Sequence, residues 1–322
     1  MPVMPCGPRQ QWKPQRALAA FAAVAVPVVA LAASAAPPER NGFTLEPRSI
    51  ELDEIRRGGP PRDGIPALDH PLAMSAAKSP WRDHEMVIGV TLDGESRAYP
   101  LAILVWHELA NDTLAGRPIL VSYCPLCGTG IVFDRRIDGR PHRFGVSGLL
   151  YQSDLLMYDR ESESLWSQIG AEAVTGPSLG SRLTLVRSRM LTWGEWKQRH
   201  PATTVLSKNT GHARRYGTSP YGDYERSREI YFPTPRDRRY HPKMRTLGLR
   251  LADGTARAYP AKEIEAAGGS VREQFAGRDV VIHYEARTKV FDAKVPADIE
   301  VIEGFWFAWA TFHPETTVFG RD

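Results

Sequence analysis

Cysteine is nearly absent: Cys6, Cys124 and Cys127 are the only three in 322 residues. That excludes a disulfide framework as the source of stability. Neither a Walker loop nor a dinucleotide fingerprint occurs. Gly145-Val146-Ser147-Gly148 lacks the Gly-x-Ser-x-Gly spacing of a nucleophile elbow. After residue 35 no apolar run approaches the length of a membrane span. Charge of one sign is missing too. The formal net charge of +4 includes Arg9, Lys13 and Arg16, with no acid in residues 1–35, so the remainder stands at +1. That balance does not suggest nucleic-acid binding. Basic residues do cluster between Arg214 and Arg250, but Asp223, Glu225, Glu229 and Asp237 are interleaved with them, the pattern of a solvated linker.

What is present begins at the N-terminus. Lys13 and Arg16 precede an apolar run from Ala17 to Ala33, which ends in the small-x-small sequence Ala33-Ser34-Ala35. This is the form of a secretory signal peptide, and it predicts an exported protein, periplasmic or extracellular. The run carries Pro27 and is short for a spanning helix. Left uncleaved, it would be the protein's one membrane anchor. Cleavage would remove Cys6 and leave Cys124 and Cys127 as the only thiols. A pair two residues apart closes too small a loop to staple a fold, so chemistry is the better reason for it.

The chain also repeats itself. Residues 87–100 and 246–260 both alternate apolar residues around an Asp-Gly turn and end in Arg-Ala-Tyr-Pro, predicting two equivalent β-hairpins. Leu114-Ala115-Gly116-Arg117 and Ile119–Tyr123 match Phe275-Ala276-Gly277-Arg278 and Val280–Tyr284. Each copy closes alike: Trp193, Trp196, His200-Pro201 and Thr203-Thr204-Val205 answer Trp306, Trp309, His313-Pro314 and Thr316-Thr317-Val318. Tryptophans three apart on a short helix, followed by a proline stop, serve packing and capping. The copies differ where it matters. The second has Glu285-Ala286-Arg287-Thr288 in place of the cysteines, and lacks both Trp106-His107-Glu108 and the stretch from Gly145 to Gln168.

Cys124-Pro125-Leu126-Cys127-Gly128 follows a strand, and its turn aims both sulfurs the same way, as in a metal knuckle. His107 is the best third ligand, because a hairpin of Glu108–Thr113 with Ile119–Cys124 would set it beside the cysteines. Met157 and Asp154 are weaker candidate ligands. Glu108 and Asp154 are the candidate acid–base groups beside an open coordination position. Two thiolates with imidazole suit copper or zinc. The same pair could instead cycle between dithiol and disulfide, or stiffen a turn as a disulfide. A thioredoxin-like setting is missing, since Gly128-Thr129-Gly130 leads into a strand and not a helix.

These segments resemble a known family. Asp63–Leu68, Arg97-Ala98-Tyr99-Pro100, Trp106-His107-Glu108, Asn111-Asp112, Tyr123–Gly130, Gly145–Tyr151, Leu156–Arg160 and Leu165–Gln168 are similar to the domain-of-unknown-function family 3179, over roughly residues 45 to 320. The resemblance implies where the site lies and no reaction.

The expected fold is α+β, predominantly antiparallel β with short helices, in two internally duplicated halves. Residues 1–35 form the signal, 36–85 an extended lead-in, and 86–207 the first repeat with the Cys-x-x-Cys site. Residues 208–244 link it to a degenerate second repeat, 245–322. The functional expectation is an exported protein binding copper or zinc through Cys124, Cys127 and His107. A thiol–disulfide protein and a non-enzymatic cell-envelope interaction module are the alternatives.

Overall fold

Alternation of apolar and polar residues around tight turns dictates hairpins, and hairpins build this molecule. The computed structural model describes residues 36–321, together with Met1–Val3 and Gly7. The apolar run expected to be a signal and Cys6 lie outside the described residues. Among the described residues no helix is long and apolar enough to cross a membrane. The chain from Pro37 onward is one compact unit, mostly antiparallel β with a few short helices, and it resembles a five-bladed β-propeller.

Five principal sheets underlie that resemblance. The hairpin of Met86–Leu92 and Glu95–Pro100 turns at Asp93-Gly94, and Ser188–Thr192 and Thr204–Leu206 flank it. The hairpin of Arg245–Arg250 and Ala256–Pro260 is flanked in the same order by Glu300–Phe305 and Thr317–Val318. In both sheets the short closing strand pairs parallel with the hairpin's second strand. Two further sheets also correspond. One carries Leu109–Leu114, Arg117–Cys124 and Thr129–Asp134, and the other carries Ser270–Phe275, Arg278–Glu285 and Val290–Lys294. The fifth is built on Phe144–Tyr151, Asp154–Asp159 and Leu165–Ser167.

Four short helices connect the strands: α1, Leu101–His107; α2, Trp193–Arg199; α3, Ala261–Ala266; and α4, Trp306–Phe312. The tryptophans are core, as expected. Trp196 lies over Gly89 and Trp309 over Gly248 so closely that a Cβ on either glycine would overlap the ring. Their indole N–H groups donate to Thr203 Oγ1 at 2.8 Å and Thr316 Oγ1 at 3.0 Å. Since the two rings do the same work, Trp196→Ala and Trp309→Ala should each destabilise by ~3–5 kcal/mol. Urea unfolding checks this, and one loss below about 1 kcal/mol would refute the equivalence.

Candidate functional site

Cys124 ends its strand opposite Thr129, so Pro125 to Gly128 form the connection of a tight hairpin. Gly128 has φ +63°, and a Cβ there would stand 2.9 Å from the Phe305 ring, so glycine is required twice over. The Cys127 carbonyl accepts the Phe305 amide at 2.8 Å, locking the loop to a neighbouring blade. Beneath it, Thr129 Oγ1 donates to Gln168 Oε1 at 2.6 Å, and Gln168 Nε2 donates to Ser122 Oγ at 2.9 Å.

Both cysteines are free and buried. Cys127 Sγ contacts the Ser153 carbonyl at 3.4 Å. The residue after Ser153 is Asp154, delivered by a two-residue turn in which Gln152 and Ser153 have φ of 53° and 64°. One donor atom each from Cys124, Cys127 and Asp154 lies within 4.8 Å of the others. Asp154 Oδ2 accepts the Ile169 amide at 3.0 Å, whereas Oδ1 is buried with no nitrogen or oxygen donor. Burial pushes the Asp154 carboxyl up to about 7, against the pull of the Ile169 amide and the thiols. It also pushes both thiols up, Cys127 furthest.

His107 does not join them. Leu109 pairs with Ser122, and continuing that register two places would put His107 across from Cys124. The ladder stops first, because His107 is the last residue of α1 and Glu108 takes φ 58° to leave the helix. That reversal turns the imidazole away. Its Nδ1 lies 2.7 Å from the Pro66 carbonyl and its Nε2 2.7 Å from the Tyr216 hydroxyl. Burial pushes its pKa down to about 4, which keeps the ring neutral. The side chain that stands with the two cysteines is Asp154, and not the expected His107. Met157 is buried opposite Trp166, in the apolar cluster that also holds both cysteines.

Glu108 is buried on the cysteine side. Tyr221 donates to its Oε1 at 3.3 Å, while burial, with the Asp154 charge adding, pushes its carboxyl up to about 7. Tyr221 belongs to the segment read as a solvated linker, and other residues of that segment also turn inward. Tyr224 is 2% exposed and its hydroxyl has no partner. The Lys243 ammonium lies 3.5 Å from the Tyr224 ring centroid and donates to the Glu229 carbonyl. Burial pushes Lys243 down to about 8, and the Cys127 charge acts in the opposite direction. Nothing in the spacing of residues 208–244 marks Tyr221, whose partner Glu108 lies 113 residues away in sequence.

A second acidic group, His142, Asp159 and Glu161, is structural. The Asp159 carboxylate is occupied by Ser162 and the Trp166 indole at 2.6–2.9 Å, with His142 Nδ1 at 3.0 Å.

The family model described as "Protein of unknown function (DUF3179)" matches residues 62–297. Comparison with curated proteins and with solved structures found no match for the chain.

Proposed function

We propose, for a chain that belongs to the DUF3179 family, a transition-metal centre built from Cys124, Cys127 and Asp154. The observation that carries this reading is the buried, unpartnered Asp154 Oδ1 beside two free thiols. A buried carboxylate oxygen without an N–H or O–H donor is satisfied by a proton or by a cation in the space before it, and the adjoining thiols supply the further donors that a metal ion needs. Two soft sulfurs and one oxygen match zinc or copper, and three protein donors leave a fourth position open. In this reading Asp154 is a ligand and Glu108 the acid–base group.

The thiol–disulfide alternative is less well supported. Reactive cysteines are accessible and have lowered pKa values, and these are buried, beside acids, with raised ones. Export to the periplasm or beyond belongs to the same proposal, since it rests on residues 1–35. So does duplication: the two matched pairs of sheets support two halves descended from one unit, with the second kept as scaffold.

Elemental analysis of the protein purified without chelators tests the metal. One zinc or copper per chain is expected. No bound metal after reconstitution under reducing conditions would overturn the reading, leaving the redox potential of the cysteines as the next quantity to measure.

A further inference from the structure

A cavity of about 390 Å³ opens between the sheet of Met86–Leu92 and the sheet of Arg245–Arg250, within the size range of small-molecule sites. Its floor is apolar: Ile131, Met190, Trp196, Leu247 and Ile299 are all buried. Its exposed side is basic, with Arg187, Arg189 and Arg199. Arg189 and Arg199 converge on one carboxylate, that of Asp292. Arg199 Nη1 donates to its Oδ2 at 2.8 Å and Arg189 Nη1 to its Oδ1. The Nε and Nη2 groups of both have no protein partner among the described residues. Arg187 has no carboxylate there at all. Its Nη2 donates to the Val295 carbonyl at 3.0 Å and to the Pro296 carbonyl.

The acids of the wall are already taken. Glu303 pairs with Arg245, and Glu300 with Arg250 at 2.6 Å. His200, also in the wall, is pushed down by burial, with Arg189 and Arg199 adding, so it is neutral at pH 7. Five arginines against three carboxylates leave two positive charges on the cavity. The frame does not require them, because the matching sheet does without. Arg189 lies opposite Gly89 as Ile302 lies opposite Gly248. Arg199 follows Trp196 by three residues, where Phe312 follows Trp309, and Arg187 answers to Glu300. We propose that the cavity binds a small organic dianion, two carboxylates on an apolar body, with Arg187 taking one carboxylate and Arg189 with Arg199 the other. Guanidinium edges meet carboxylates in two-bond contacts, and the unused Nε and Nη2 groups offer such edges. The apolar floor takes the body between them. This site is independent of the metal reading.

Titration calorimetry with adipate, suberate and sebacate, straight-chain dicarboxylates of increasing length, tests the inference. At least one should bind native protein saturably. Octanoate, with a single carboxylate, and inorganic phosphate, with no apolar body, should each bind about tenfold or more weakly than the best of them. Arg187→Gln and Arg199→Gln should each weaken that dicarboxylate about tenfold or more, the loss of one charge-assisted contact. Both side chains are exposed, and Arg189 still holds Asp292 when Arg199 is gone, so melting temperatures should stay near native. Arg215→Gln, at an exposed arginine outside the cavity, should bind as native does. No saturable binding of any of the three dicarboxylates, or equal binding by native protein and both cavity variants, overturns the inference. Phosphate binding as tightly as the best dicarboxylate overturns it too, since the apolar floor would then contribute nothing. Metal content measured on the same samples bears on the cysteine centre alone, so either reading can fail without the other.

Discussion

Asp154→Ala should lower zinc affinity by more than the ~100-fold that outer-shell changes reach, whereas His107→Ala should still load one metal per chain. Cys124→Ser/Cys127→Ser should bind none. The contrast follows from side-chain direction. The Asp154 carboxylate lies with the two sulfurs and its Oδ1 has no nitrogen or oxygen donor, while both nitrogens of His107 are already held by Pro66 and Tyr216. His107→Ala removes two buried hydrogen bonds, so it should lower the melting temperature without touching stoichiometry. Elemental analysis after dialysis, with competition titration on the same samples, reads both effects. Equal metal loss in the Asp154 and His107 variants would refute the Cys124–Cys127–Asp154 assignment.

Features set by local pattern were legible in the sequence. The Asp93-Gly94 hairpin and the hairpin of Leu109–Leu114 with Arg117–Cys124 both follow from alternation around turn residues, and each is present. The cysteine loop was legible for the same reason, since a strand, a proline and a glycine determine it within eight residues. What failed was a one-residue question of direction. An apolar Leu101–Val105 run before Trp106-His107 reads equally as strand or helix, and the helix ending at His107 exchanges which of His107 and Glu108 faces the cysteines. Asp154 could be seen as a candidate but not placed, because thirty residues and a separate sheet intervene. Tyr221, Tyr224 and Lys243 left no signal at all. Their burial comes from long-range packing of a segment whose composition is that of solvent-exposed chain.

Zinc affinity should fall steeply with acidification, and in two stages. Metal ligands bind deprotonated, so each ligand that is protonated in the metal-free protein contributes about tenfold per pH unit. Both thiols are pushed up by burial, so near pH 8 they carry protons, while the Asp154 carboxyl, at about 7, is mostly ionised. Binding there releases two protons, and affinity should drop ~100-fold for each pH unit downward. Below pH 7 Asp154 also holds a proton, and the slope should steepen toward ~1000-fold per unit. The sign is fixed by the direction of all three shifts: raised acids must be ionised by the metal, so low pH opposes loading. Competition titrations from pH 6 to 8.5 measure the slope, and the Asp154→Ala protein should lose the steeper stage while keeping the first. A native slope of only about tenfold per unit would mean a single thiolate at the metal, and the two-cysteine centre would have to be abandoned.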